Sequence, residues 1–150
     1  MLRMIKGDLI KRALRGEFDV IGHGANCQRI MSTGIALPIA RTFPCAVYAD
    51  VHSALVETEK PGDVSVGFNP VPKLFVANLY TQRKPGPCFE LELLRSALRK
   101  LEYDWLTPED RIGFPMIGAG IGGGTWEDIR KVIEEELRDY DVTIVEYAPE

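Results

Sequence analysis

Short apolar runs alternate with segments of helical period along almost the whole chain, and this alternation restricts the fold more than any other feature. FDVIG (18–22), VSVGF (64–68), KLFVANLY (73–80), RIGFPMI (111–117) and VTIVEY (142–147) read as strands, and LRMIK (2–6) as a first or edge strand. Between them, Leu9, Ile10, Ala13 and Leu14 share a helical face that ends at Gly16. Ile35, Ala36, Ile39, Ala40 and Phe43 repeat that spacing after Gly34, and Pro44 starts a stretch with Val47, Val51 and Leu55 on one face. Leu91, Leu94, Leu98 and Leu101 form a further stripe. Trp126, Ile129, Ile133 and Leu137 form the last, with Thr125 as its N-cap and Asp128 as the capping-box partner. Helices interleaved with strands cover both sides of a sheet. The expected class is therefore α/β, a three-layer α/β/α sandwich with a mixed central sheet. With 150 residues and no linker, repeat or low-complexity tract, the chain reads as one domain over 1–150.

A formal net charge of −4 without any basic block makes a nucleic-acid partner unexpected. An acidic chain still binds an anion where backbone amides do the holding. The N-terminus MLRMIKGDL lacks the apolar core of a signal peptide, and no apolar run reaches the length of a membrane span. Cys27, Cys45 and Cys88 form no CxxC pair. The expectations are a cytoplasmic monomer with no membrane partner.

Two stretches carry chemistry. PMIGAGIGGGTW (115–126) joins a strand to a helix through Gly118, Gly120, Gly122, Gly123 and Gly124, and so much bare backbone favours close approach of N–H groups to phosphate. No lysine follows these glycines, so a P-loop is excluded. GAGIGG matches GxGxxG but lies near the C-terminus with no second βαβ half after it, so a dinucleotide fold is rejected. IGHGANCQRIMSTGIA (21–36) has the same design at the end of another strand. His23 is a residue type that serves as base, acid or nucleophile near neutral pH, and Asn26 suits sugar hydroxyls. His23 and Cys27 lack the further ligands that a zinc site needs, so no metal is expected.

Taken in order, these pieces resemble the macrodomain family, the ADP-ribose-binding fold. KGDL (6–9) is similar to its opening, HGANC followed by STGIA (32–36) to its first phosphate loop, PMIGAGIGGGTW to its second, VANLYTQ to a central strand and VTIVEY to its last strand. The resemblance implies ligand contacts at Gly7, Asp8 and Leu9, with Asp8 an adenine ligand, the N-cap of the first helix, or both. It implies further contacts at Gly24, Ala25, Met31, Ser32, Thr33, Gly34, Ile35 and Ala36 in the first loop. In the second loop it implies Ile117, Gly118, Ala119, Gly120, Ile121, Gly122 and Gly123, with Tyr147 beside the adenine. His23 is implied as proton donor and acceptor or as transient phosphate acceptor, and Asn26 as a ligand of the distal ribose or its 1''-phosphate. Gln82 is placed to reach the site, Trp126 belongs to the core, His52 to the surface, and Glu134–Glu136 to a solvated helix face.

Within the family the H-x-x-N-C loop is most similar to yeast-type ADP-ribose-1''-phosphate phosphatases. It also resembles the terminal ADP-ribose protein glycohydrolases, whose lysine and loop aspartate correspond here to Thr81 or Gln82 and to Gly122. The leading expectation is hydrolysis of ADP-ribose 1''-phosphate to ADP-ribose and phosphate without cofactor or metal. The partner is then ADP-ribose or its 1''-phosphate, with ADP-ribosylated protein a further candidate. Two alternatives stand beside it: a non-catalytic ADP-ribose reader, and an ADP-ribosyl hydrolase acting on modified proteins.

Overall fold

A computed structural model describes residues 2–150. Six strands form one sheet: β1 (Leu2–Gly7), β2 (Val20–Asn26), β3 (Val64–Asn69), β4 (Leu74–Gln82), β5 (Arg111–Phe114) and β6 (Asp141–Tyr147). Five helices accompany them: α1 (Leu9–Leu14), α2 (Ala36–Thr42), α3 (Pro44–Val51), α4 (Leu91–Trp105) and α5 (Trp126–Glu136). The strand order is β1-β6-β5-β2-β4-β3, with every pair parallel except β3–β4. The sheet is mixed, as the sequence implies.

Alternation along each strand feeds two cores. Ile21, Val76 and Val145 pack with Leu9, Ala13, Ile39, Phe43 and Ala46 of the α1–α3 layer. Their chain neighbours Val20, Ala77 and Ile144 pack instead with Leu94, Leu98, Ile129 and Ile133 of the α4–α5 layer. Helices cover both faces, which completes the three layers. No helix among the described residues is long and apolar enough to cross a membrane.

Local signals explain most element ends. Asp8 accepts the Lys11 N–H at 3.0 Å and so caps α1, and Pro44 opens α3, where its missing N–H costs nothing. Four expectations need correction. RIGFPMI pairs only over Arg111–Phe114, because Pro115 cannot donate to a ladder. Thr125 precedes α5 but its side chain makes no capping bond. The buried face of α3 carries Ala46 and Asp50, while Val51 is exposed, so the Val47–Val51–Leu55 stripe is not the core face. The helix also ends at Val51 and leaves Leu55 outside it. Glu136 is the member of its acidic run that is not solvated: Arg95 and Arg99 hold it at 2.6 and 2.9 Å.

Helix α3 and strand β3 approach each other closely at Gly67. A Cβ on Gly67 would stand 2.2 Å from the Cys45 carbonyl oxygen, a backbone atom with nowhere to move. Gly67→Ala should therefore lower the unfolding free energy by about 3 kcal/mol in urea titration. A loss below about 1 kcal/mol would contradict this packing.

Candidate functional site

Parallel pairing of β1, β6, β5, β2 and β4 brings five carboxyl ends to one edge of the sheet. A cavity of about 800 Å³ runs along that edge, within the size range of small-molecule sites. Four strand spacings separate β1 from β4, roughly 19 Å, so the cavity suits an elongated ligand.

Its contents change along its length. At the β1–β6 end stand Asp8, Leu9, Glu146 and the exposed ring of Tyr147. Asp8 has one carboxylate oxygen engaged as the helix cap, and its own N–H donates to the Glu150 carboxylate at 2.7 Å. In the middle, the loop after β5 brings Ile117, Gly118, Ala119, Gly120, Ile121 and Gly122 to the wall. Opposite them, the loop after β2 brings Met31, Thr33, Gly34, Ile35 and Ala36. The loops approach each other where a Cβ on Gly34 would lie 3.7 Å from the Ile121 side chain. At the β2–β4 end stand Gly24, Ala25, Asn26, Asp50, Thr81 and Gln82.

The second loop is held open by its own hydrogen bonds. Gly124 N–H donates to the Gly118 carbonyl at 2.7 Å, and Gly123 N–H to that of Gly120 at 3.1 Å. The N–H groups of Gly118, Gly120, Ile121 and Gly122 donate to no protein acceptor among the described residues. Gly118 has φ +71°, and a Cβ there would collide with the Phe89 ring at 2.4 Å, so only glycine fits. Free amides in such a turn form an anion-binding concavity. No Lys or Arg lines the cavity, so those amides are its positive groups.

Asn26 is fixed by the first loop: its amide donates to the Ile30 carbonyl at 2.8 Å and its carbonyl accepts the Gln28 N–H at 2.9 Å. Gln82 also lines the wall, with its amide holding the carbonyls of Lys84 and Gly86. Four expected site residues lie off the cavity. Gly7 is buried beside Arg12 and Glu150, Ser32 is exposed on the outside of its loop, and Gly123 faces Pro87.

His23 is the important correction. It lies three residues before the end of β2 and is fully buried, under α3, outside the cavity wall. Its Nε2 donates to Asn78 Oδ1 at 2.7 Å, while the Asn78 amide donates to the Ala46 carbonyl and to Ser65 Oγ. Burial pushes the imidazole pKa down, against the Asn78 bond, and keeps the ring neutral. A histidine so placed cannot reach a ligand as proton donor or phosphate acceptor.

From Asn78 the buried polar chain continues through Ser65 and the Tyr80 hydroxyl at 2.8 Å to Asp50 Oδ1 at 2.6 Å. Lys60, with no exposed surface, donates from Nζ to Asp50 Oδ1 and to the Asp50 carbonyl, both at 3.1 Å, and lies 4.8 Å from the Tyr80 ring centroid. Burial and the adjacent Asp50 raise the Tyr80 phenol pKa far enough that it remains a donor. Burial likewise pushes the Cys27 thiol up to about 11, which leaves it protonated and unreactive. No group of three or more His, Cys, Asp or Glu side chains among the described residues is placed to hold a metal ion. Sequence reasoning missed Asp50 and Lys60. The available signal was Asp50 at i+3 from Val47 and next to Val51, a carboxylate inside a presumed apolar face.

No family model matches the chain. It is 33% identical to an uncharacterized 17.5 kDa protein from the tk–vs intergenic region of Enterobacteria phage T4, over 99% of this chain and 98% of that protein. It is 25% identical to the DNA ADP-ribosyl glycohydrolase of Thermus aquaticus over 99% of its length, and spans 41% of that relative. Among solved structures, a Bacteroides thetaiotaomicron protein of unknown function superposes with a TM-score of 0.82 at 23% identity, covering 97% of this chain and 98% of that one. The macrodomain of Thermus aquaticus DarG superposes at 0.74 with 25% identity over 99% of both chains. Thermosipho africanus DarTG in complex with ADP-ribose superposes at 0.77 with 16% identity, over 97% of this chain and 41% of that one.

The buried imidazole carries a stability prediction. Its folded-state pKa lies below the unfolded value, so the unfolded chain binds the extra proton first. Its contribution is complete above the ordinary imidazole pKa of about 6.5 and is lost as pH falls below it. Denaturant midpoints should drop between about pH 7 and pH 5, and drop less in His23→Ala. That variant should itself lose about 3 kcal/mol at neutral pH through the cavity and the unpaired Asn78 carbonyl. Equal pH slopes in the two proteins would refute the buried neutral ring.

Proposed function

We propose that this chain, which belongs to one family with the phage T4 17.5 kDa protein and has the macrodomain fold, is an ADP-ribosyl hydrolase. It binds ADP-ribose along the cavity and cleaves the bond between C1'' of the distal ribose and the group attached there. The observation that carries this reading is the order of chemistry along the five strand ends. A carboxylate and an exposed aromatic ring stand at one end, free loop amides in the middle, and Asn26 with Asp50 and Thr81 at the other. That order matches a base, a diphosphate and a sugar joined in line.

Asp8 retains an oxygen for the adenine amino group, with Tyr147 beside the ring. The amides of Gly118, Gly120, Ile121 and Gly122 take the diphosphate, each bond to a charged oxygen contributing about 1.5–3 kcal/mol before ordering costs. Asn26, already fixed by its own loop, addresses the distal ribose. Anchoring the unreactive ADP portion orients C1'' for attack. The relative that is a DNA ADP-ribosyl glycohydrolase supports hydrolysis, and the DarTG structure of the same fold, in complex with ADP-ribose, supports the choice of ligand.

ADP-ribose 1''-phosphate is the other candidate substrate. A monoester there would place a dianion against a wall that includes Asp50 and has no Lys or Arg lining it, so the geometry favours an attached group without that charge.

Calorimetry with ADP-ribose, then chromatography after incubation with an ADP-ribosylated oligonucleotide, an ADP-ribosylated peptide and ADP-ribose 1''-phosphate, tests the reading. Binding with release of ADP-ribose from either macromolecule is the expected result. Release from the phosphate alone would make it a phosphatase, and binding without release a reader. Asp8→Ala should weaken ADP-ribose binding about tenfold or more through the lost adenine contact.

A further inference from the structure

One cavity group has no part in holding the ligand as described. Asp50 lies in the last turn of α3 and is 2% exposed, yet it lines the cavity. Its Oδ1 accepts from both Lys60 and Tyr80, whereas Oδ2 accepts no hydrogen bond among the described residues. Tyr80 pairs with Ala25 across β4 and β2, directly before the Asn26–Gln82 rung that ends the ladder. Asp50, tied to the Tyr80 hydroxyl, thus lines the same cavity as Asn26.

Thr81 is an independent sign that something polar binds there. The residue is fully buried and lines the same cavity, and its Oγ1 has no partner. A buried hydroxyl without a protein partner, on a residue that lines the cavity, is unfavourable unless a ligand or water completes it. Neighbouring strand positions face opposite sides of a sheet. Tyr80 carries Asp50 on the α3 side, and Thr81 Oγ1 lies toward Gly24 on the other, 2.9 Å from where a Cβ on that glycine would stand. The two groups lie on opposite sides of β4 near its carboxyl end, and both residues line the cavity.

We infer that Asp50 is the general base of the hydrolysis and Thr81 a positioning residue that hydrogen-bonds the distal ribose; this rests on the hydrolase reading. Oδ2 takes a proton from a water molecule as the water oxygen forms a bond to C1''. The bond from C1'' to the attached group breaks, and that group leaves with the electron pair and takes a proton from solvent. Asp50 then returns its proton to solvent. The sum is substrate plus water giving ADP-ribose and the protonated leaving group, with no other reactant. Lys60 keeps the carboxylate oriented through Oδ1 and leaves Oδ2 for the water.

The test uses ADP-ribose carrying para-nitrophenol on C1'', a leaving group that needs no protonation and reports by colour. Asp50→Asn keeps an Oδ1 that accepts from Lys60 and Tyr80 but removes the base. It should melt at a lower temperature, because Lys60 loses its counter-charge, yet below that transition bind ADP-ribose like wild type and release para-nitrophenol at least about a hundredfold more slowly. Added azide, a nucleophile with no proton to lose, should restore release in Asp50→Asn, a rescue that a structural defect would not show. The double variant Asp50→Asn/Lys60→Met, which removes the buried ammonium together with its counter-charge, provides the same readout if the single Asn variant folds poorly. Thr81→Val should melt no lower than wild type and turn over with a several-fold higher KM. Wild-type release rates in Asp50→Asn, or a slow variant that azide leaves slow, overturn the role of Asp50. Unchanged KM in Thr81→Val overturns the role of Thr81. Wild-type protein that binds ADP-ribose and releases no para-nitrophenol overturns the hydrolase reading and this role together.

Discussion

A fully buried ammonium has to be paired, and the way Lys60 is paired organises one end of the molecule. Removing an ion from water costs several kcal/mol, which a single contact rarely offsets. Here Asp50 supplies a carboxylate and a backbone carbonyl, and the Tyr80 ring adds a cation–π contact. Tyr80 passes its hydrogen bonding to Ser65, Asn78 and His23 in turn. Five segments meet in that chain: α3, the turn before β3, and strands β3, β4 and β2. Buried networks of this kind rigidify when their members are satisfied, and this one leaves the second Asp50 oxygen unused at the cavity and His23 Nδ1 unpartnered at the other end.

That end lies at the sheet edge because of parallel pairing. Antiparallel strands would send alternate carboxyl ends away from each other, whereas five parallel ones collect their following loops in one row. The row shows how an acidic protein could hold the proposed diphosphate. The loop after β5 contributes amides that its own turn leaves unused, with Gly118 at a φ that other residues avoid and against a ring that excludes any side chain. Fixed dipoles need no lysine, and they do not rearrange when the ligand arrives.

The layers, the mixed sheet and both glycine loops were legible because period and glycine spacing are local properties of the chain. Asp8 was legible for the same reason: a cap is read within three residues. His23 was misread because its role depends on what lies across two strands and a helix. A histidine near a strand end looks available until Asn78 and Ala46 are known to enclose it. Asp50, Lys60 and Thr81 were hidden by the same long-range dependence, since the pair is ten residues apart and the hydroxyl's isolation appears only in three dimensions. The face of α3 was misassigned because Val47 and Val51 mark a stripe by hydrophobicity, while the Ala46–Asp50 stripe is defined by what packs on it. An acid in a short helix of otherwise apolar character marks a buried partner elsewhere in the chain.

Binding and chemistry therefore draw on different kinds of charge. Along the proposed phosphate stretch the attraction comes from free backbone amides; at the end proposed for the sugar stand Asp50 and its partner Lys60. Because no Lys or Arg lines the cavity, nothing within it competes with Lys60 for the Asp50 carboxylate. One oxygen can then serve the fold while the other faces the ligand. The division also accounts for the buried lysine: a carboxylate alone at that depth would be expelled or protonated, and a hydrophobic replacement of the pair would stabilise the core but remove the proposed base. An ion pair that contributes little net stability makes sense where its unengaged oxygen has chemical work to do.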